Sequence, residues 1–305
     1  MKLAEFIKTK GSIRTEELFR DKELSQDVQA ELIRLGLLDP PTDGGFGPLS
    51  KLAGAQFVSR ALNATSDGSA APPVSINFTA AQKLKAAQPQ SLFPVKPGND
   101  LAGRVWRAME AKGYYLTRVP GWINIVYLEG ANADGSPNDN APNKFNDRRL
   151  VLTVQDGKPV LLGNWDATTE PGRLFTIEKP NIKGAARIAL GQFKAWSVGT
   201  HHGSGKDPHE ALVLTGEIRI HRDLNKDFRR DGDAIYSGSS FGINQHWGFD
   251  MPVDNIGGAS AGCLVGRLRK DHRQFMSLIK NDPRFRASAS YRFMTAVIPA
   301  IELPA

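Results

Sequence analysis

Residues 149–162 read Arg-Leu-Val-Leu-Thr-Val-Gln-Asp-Gly-Lys-Pro-Val-Leu-Leu, and this stretch decides the class of the larger part of the chain. Two apolar runs flank Asp156-Gly157, the dipeptide that favours a tight hairpin turn with positive φ at both central residues. Outward from this hairpin, residues 122–128 read as a preceding strand, and 174–177, 186–190, 211–220 and 290–298 as following ones. Residues 132–146, rich in Asn, Pro and Gly, read as a loop between strands. One late helix is predicted over 269–280, with Phe275, Leu278 and Ile279 turned inward, a stop before Pro283, and His272 on its exposed side. A short helix after Asp100, with Leu101, Val105 and Met109 on one face, opens this mostly β region.

The N-terminal part has a different texture. From Ser25, apolar Val28, Leu32 and Leu35 recur at helical spacing, with Ser25 placed to cap the start and Gly36 to end the helix. Asp43-Gly44-Gly45-Phe46-Gly47-Pro48 then forms a turn whose proline suits the first position of a second helix through Leu49, Leu52, Ala53 and Phe57. Between the two textures, Pro72, Pro73, Pro89, Pro94 and Pro97 stand among Ser, Ala and Gly, a composition that favours a linker. The expected organisation is α+β: a small helical domain over 1–64, a Pro-rich linker over 65–100, and a mostly β domain, sandwich or barrel-like, over 101–305.

The whole-chain numbers narrow the function classes. With 305 residues, 40% hydrophobic and 23% charged, the chain is long enough for two domains, and no apolar run reaches bilayer length. A formal charge of +7 suits an anionic partner such as nucleic acid, a membrane surface or a cell wall. The basic residues are scattered and not interleaved with aromatics, so nucleic acid is not the expected partner. The single cysteine excludes an intramolecular disulfide framework and any multi-cysteine metal site. Residues 1–8 carry acids and bases where a signal peptide has its apolar core, so no export leader is read there. That reading leaves the location open, with a removed leader as one account.

Chemistry concentrates between Phe241 and Gly266. Cys263 follows the small-residue run Gly257-Gly258-Ala259-Ser260-Ala261-Gly262, which lets the backbone curl, exposes a thiol and leaves amide N–H groups of Gly262 and Cys263 to hold an oxyanion. A free thiol is mostly protonated at neutral pH and needs a base. His246 closes an apparent strand 17 positions earlier, within reach of a returning loop. Asn244, Trp247, Gly248, His209 and His221 are the side chains and backbone expected to line the substrate. The plain alternative for Cys263 is a small buried hydrophobe.

Two metal readings are weighed and set aside. His201, His202, Asp207 and His209 have ligand chemistry, but adjacent histidines do not share one face of a strand, so zinc is not expected. Asp223, Asn225, Asp227 and Asp231 fall at positions of a calcium loop, yet Phe228 stands where such loops need glycine and Ala234 where they need a bidentate acid. A polar turn held by Asx hydrogen bonds is expected instead. No cofactor is called for.

His246, Gly248, Ser260, Gly262, Cys263 and Leu264 together resemble the signature of the L,D-transpeptidase catalytic domain. The strand, Asp-Gly turn, strand and Thr169-Glu170-Pro171-Gly172 segment resemble that family's opening hairpin. Residues 28–57 resemble a three-helix peptidoglycan-binding domain, with one extra glycine in the turn. Two positions depart: Ala261 replaces the family's second histidine and Val265 its arginine. The resemblance implies a monomeric enzyme without cofactor or membrane span, acting on peptidoglycan through a Cys263 acyl-enzyme with His246 as base. Release to an amine makes a crosslink, and release to water makes a carboxypeptidase or endopeptidase. A non-catalytic wall-binding protein is the alternative in another class.

Overall fold

The computed structural model describes residues 1–61, 75–178, 181–202, 205 and 207–304. The N-terminal unit contains α1 (Leu3–Thr9), β1 (Ser12–Arg14), a 3-10 turn (Leu18–Arg20), α2 (Lys22–Arg34), α3 (Pro48–Ala61), β2 (Ser75–Asn77), α4 (Phe78–Ala86) and α5 (Pro89–Leu92). Helix α2 starts three residues ahead of the expected cap, because Asp21 accepts the Leu24 N–H and takes the capping role, leaving Ser25 buried in the core. Gly36, at φ +73, ends it as its composition predicts. Val28, Leu32 and Leu35 pack against Phe46, Ala53 and Phe57 to make the helical core. The Asp-Gly-Gly turn is held by one side chain: Gln29 Nε2 donates to Asp43 Oδ1 and Gly45 O, and its Oε1 accepts the N–H groups of Asp43 and Gly44.

The Pro-rich stretch departs from the linker expectation. Its residues 65–74 lie outside the described set, but β2 pairs antiparallel with β1, and Ile76, Ala80, Ala81, Leu84, Leu92 and Phe93 join the helical core. Pro89 misleads because it opens α5, a position where a folded chain tolerates proline. Val95 already packs against the second unit, and Lys96 N–H donates to Gly157 O.

That second unit is built from α6 (Leu101–Ala111), β3 (Asn124–Glu129), β4 (Asp147–Gln155), β5 (Lys158–Thr168), β6 (Ala185–Ile188), β7 (Gly191–His201), β8 (His209–Leu214), β9 (Ile218–Asp223), β10 (Ala234–Gly238), β11 (Gln245–Trp247), β12 (Leu264–Gly266), α7 (Arg269–Asn281), α8 (Pro283–Ala287) and β13 (Phe293–Pro299). Eight strands close into a barrel in the order β11-β12-β5-β4-β3-β13-β7-β8, and β10-β9-β6 form a separate sheet. Together with the helical unit this makes an α+β protein. The β4–β5 hairpin turns at Asp156 (φ 49) and Gly157 (φ 70), the pair of positive φ values that the dipeptide predicts.

Side-chain alternation along the strands separates two apolar layers. Ile125, Tyr127, Val151, Trp196, Leu212, Leu264 and Val297 share one cluster with Phe275, Met276 and Ile279 of α7. Val126, Leu128, Leu150, Leu152, Ala296 and Ile298 face the other way and are covered by Val105, Trp106 and Met109 of α6.

Three local expectations are corrected. Residues Leu174–Glu178 coil into a π-helical turn instead of a strand. The apolar run over 211–220 breaks at Thr215 and Gly216 into β8 and β9, which enter different sheets. His272 is buried, not exposed, at 1% accessibility. Among the described residues no helix is long and apolar enough to cross a membrane.

The two units meet over a buried ionic junction. Asp39 accepts from Tyr291 and pairs with Arg284 at 3.3 Å, while Arg284 also grips Asp282 at 2.7 Å. Burial of such groups is tolerable only when each is paired, so the junction ties the helical unit to the end of the barrel in one arrangement.

Candidate active site around Cys263

Strands β11 and β12 run parallel, with Gln245 opposite Leu264 and His246 opposite Val265. Gln245 turns into the barrel, where its Nε2 donates to Thr295 Oγ1 at 2.8 Å. Alternation then sends His246 and Val265 to the outer face, and Asn244 and Cys263, one step of two earlier, to that same face. Neighbouring strands therefore place Cys263 and His246 on one side of the barrel wall.

Cys263 belongs to a small apolar cluster with Phe145, Ile256, Ala259 and Val265, and Phe249 and Met251 pack alongside. Its Sγ accepts the Asn244 N–H at 3.4 Å and donates to Gly242 O at 3.5 Å. Burial pushes the thiol up to about 11, against the pull of the Asn244 N–H. The resting sulfur is a neutral thiol, and among the described residues it makes no hydrogen bond to His246.

The turn before the cysteine is specified by contact. Gly262 adopts φ +125, and a Cβ there would lie 2.4 Å from Ala186 O, so only glycine fits. Ser260 Oγ accepts the Gly262 N–H at 3.1 Å and donates to Cys263 O at 2.9 Å. The Gly262 amide, expected to help hold an oxyanion, is thus already occupied. The Cys263 N–H makes no hydrogen bond among the described residues and is the donor left at the thiol.

His246 belongs to a group of imidazoles. It stacks on His201 with ring centroids 3.9 Å apart and planes within 6°, and His209 and His272 complete the cluster. His201 and His209 face each other across β7 and β8 because they are register partners. Hydrogen-bond partners fix each tautomer. His246 Nδ1 and His209 Nδ1 donate to the carbonyls of Trp247 (2.7 Å) and Asp207 (2.8 Å). His201 Nδ1 accepts from Asn244 Nδ2, and His272 Nδ1 accepts from Arg149 while its Nε2 donates to Glu210 O. Burial and mutual repulsion keep the rings neutral: His201 falls to about 4, and His246 and His272 lie well below the ordinary imidazole value.

The other residues singled out in the sequence are placed as follows. Asn244 is spent internally, its Oδ1 accepting the Leu214 N–H at 2.9 Å. Gly248 packs so closely that a Cβ would lie 2.8 Å from the Phe145 ring. Trp247 stacks on His209 at 3.7 Å. His221 lies apart on β9, opposite Arg187 and Ile235. His202 is exposed and outside the imidazole group, and among the described residues no three potential ligands converge on a metal position. Asp223 accepts the N–H groups of Asp227 and Phe228, the Asx-type turn expected there.

Two features escaped sequence reasoning. Arg149 is fully buried without a carboxylate: Nε donates to Tyr127 OH at 2.6 Å, and the terminal nitrogens reach His272 Nδ1 at 3.0 Å and His246 O at 2.9 Å. It ties β4, β11 and α7 together beneath the site. His272 was legible, because it occupies the first position of the stripe His272, Phe275, Met276, Ile279 at i, i+3, i+4 and i+7.

The second feature is a buried carboxylate cluster beside the loop that precedes Cys263. Arg187 pairs with Glu129 at 3.1 Å and Glu170 at 3.3 Å, and Arg230 also grips Glu129. Asp147 shares the Thr169 hydroxyl with Glu129. Burial alone would raise all three acids; Arg230 and Arg187 outweigh it at Glu129, held at about 2, but not at Glu170, raised to about 8. Glu170 accepts the Asn143 N–H at 3.1 Å, and Asn143 O and Oδ1 in turn accept the N–H groups of Ile256 and Gly257. The loop that leads into Cys263 is anchored on this cluster.

No family model matches the chain, and no curated protein matches it. A solved structure, that of a fused Zn-dependent amidase/peptidase/peptidoglycan-binding domain-containing protein from Clostridium acetobutylicum, aligns over 90% of this chain and 94% of its own. At 13% identity and a TM-score of 0.26, the likeness is too slight to carry an argument about fold or activity.

Proposed function

We propose that this chain is a peptidoglycan-acting cysteine enzyme of the L,D-transpeptidase type, with Cys263 as nucleophile and His246 as base. The observation that supports this most is the tautomer of His246. Because Nδ1 donates to the Trp247 carbonyl, Nε2 carries the lone pair, on the same face of the barrel wall as the thiol. Neutral thiol and neutral imidazole make this a general-base mechanism in which proton transfer accompanies attack, not a preformed ion pair.

In that mechanism the sulfur attacks a stem-peptide carbonyl as His246 Nε2 accepts its proton. The Cys263 N–H stabilises the oxyanion, and the departing amine takes the proton back from His246 to leave a thioester. A neighbouring side-chain amine then forms a crosslink, or water releases a shortened stem. Ser260 and Asn244 act as positioning residues, the first through the Gly262 turn and the second through His201. The helical unit, with its Gln29-clamped turn, serves as a wall-binding module.

The buried, high-pKa thiol favours a second reading, a non-catalytic wall-binding protein. Mass spectrometry of purified muropeptides incubated with the chain and with Cys263→Ala separates the two. Crosslinked dimers or shortened stems made only by the intact chain establish the enzyme. Unchanged muropeptides that still retain the protein sink it in favour of the binding module.

A further inference from the structure

Asn244 touches both the sulfur and the imidazole group: its N–H lies 3.4 Å from Cys263 Sγ and its Nδ2 lies 3.0 Å from His201 Nδ1. The amide cannot be turned round, because its Oδ1 accepts the Leu214 N–H at 2.9 Å. Nδ2 therefore donates, His201 Nδ1 accepts, and the His201 proton sits on Nε2. His201 reaches this place from β7. Gln245 and its register partner Leu212 face the barrel interior, so His209, three positions from Leu212, faces outward together with its own partner His201. That is the side on which Cys263 and His246 lie.

Three ring N–H groups of the cluster are spent on backbone carbonyls: His246 Nδ1 on Trp247 O, His209 Nδ1 on Asp207 O and His272 Nε2 on Glu210 O. His201 Nε2–H has no partner among the described residues. It also differs from the enclosed, unpaired His209 Nε2 and Trp247 Nε1, because it keeps surface open to a ligand, as His246 Nε2 does. The two rings stack 3.9 Å apart with their planes within 6°. An open acceptor on His246 and an open donor on His201 thus stand in adjacent layers.

Acyl transfer to sulfur puts negative charge on the substrate's carbonyl oxygen, and N–H donors already in place lower the energy of that charge. Here the Gly262 amide is held by Ser260 Oγ, which leaves the Cys263 N–H. We propose that His201 Nε2–H is the second donor, hydrogen-bonding the substrate carbonyl oxygen as Cys263 attacks; this rests on the cysteine-enzyme reading above. In that step the S–C bond forms, the thiol proton passes to His246 Nε2, and the carbonyl π pair moves onto the oxygen, where Cys263 N–H and His201 Nε2–H receive it. His201 keeps its own proton throughout, its other nitrogen held by Asn244. A neutral ring suits the role: burial, then His209 and His202, bring His201 down to about 4, so it donates as imidazole at neutral pH and does not repel the proton arriving on His246.

The test compares the full chain with His201→Phe, which keeps a flat ring against His246 but no donor, and His201→Gln, whose amide N–H can stand in for Nε2–H. Initial rates on purified muropeptides are followed by mass spectrometry over a range of concentrations. Iodoacetamide alkylation of Cys263 is measured alongside, because that reaction needs the thiol but forms no oxyanion. In His201→Phe, kcat is expected to fall about 10²- to 10³-fold with KM changed less than about threefold, and His201→Gln to recover at least about tenfold of the loss. Alkylation is expected to stay within about twofold of the parent in both variants. A kcat for His201→Phe within about threefold of the parent overturns the proposal, and so does a glutamine variant no faster than the phenylalanine one. Alkylation that falls as far as turnover overturns it too, since His201 would then merely support the thiol. No product from the intact chain sinks the enzyme reading itself, and this proposal with it.

Discussion

His246 lies face to face on His201, ring centroids 3.9 Å apart, in a cluster whose members are kept neutral by burial. Two stacked imidazoles cannot both charge without repelling at that distance, so the cluster responds to acid. His201 has a folded value of about 4, against about 6.5 in an unfolded chain. Above 6.5 neither state binds the proton. As pH falls from 6.5 through 4 the unfolded state protonates first, and stability is lost over that window. The drop in denaturation midpoint between pH 7 and 4 is expected to be smaller in His201→Phe than in the parent; an equal or larger drop in the variant would refute this.

Cys263 alkylation should report the buried neutral thiol. With a value near 11, the iodoacetamide rate is expected to rise about tenfold per pH unit from pH 7 to 10 without levelling, in proportion to thiolate. A plateau near neutral pH would instead reveal an ion pair with His246 and contradict the neutral resting state.

Arg149 carries the carbonyl of His246 and the ring of His272 on one guanidinium. Arg149→Met fills similar space but leaves His272 Nδ1 and the His246 carbonyl without the guanidinium, while the Tyr127 hydroxyl keeps only Leu264 O. The expected loss is about 3 kcal/mol or more, since each buried group left unsatisfied costs about 1–3 kcal/mol. Urea unfolding measures it, and a loss under about 1 kcal/mol would show the guanidinium to be dispensable.

Glu170 titrates in the opposite sense to the histidines. Its folded value of about 8 lies above the ordinary 4.5, so the unfolded state gives up its proton first and stability is lost as pH rises from 4.5 through 8. Glu170→Gln preserves the neutral form and an oxygen for the Asn143 N–H. The variant is expected to show a flatter stability profile between pH 5 and 8, and thermal melts at both ends check it. A profile as steep as the parent's would mean that Glu170 is charged throughout.

Local chemistry was legible in the chain itself. The Asp156-Gly157 hairpin, the Gly36 helix stop, the Asp100-capped helix and the Asp223 turn each follow from conformational limits on a few adjacent residues. The small-residue turn before Cys263 was legible for the same reason. Boundaries failed where a neighbour outvoted propensity: Asp21 displaced Ser25 as cap, and the described part of the Pro-rich stretch, from Ser75 on, folded because Ile76, Leu84 and Leu92 found a core.

The sequence by itself thus determined the α+β class, the turns that permit no other residue, and the lone thiol with a histidine upstream. Only the tertiary structure decided that His246 stacks on His201, that Arg149 is buried without an acid, and that Glu170 anchors the loop before Cys263 through Asn143. It also decided that the Gly262 amide is occupied while the Cys263 amide is not. These are contacts between residues far apart in the chain, and their energies come from burial and pairing that exist only once the barrel closes. No local pattern in a sequence encodes how much water a side chain will lose, and that loss is what keeps the Cys263 thiol and the His201, His246 and His272 rings neutral.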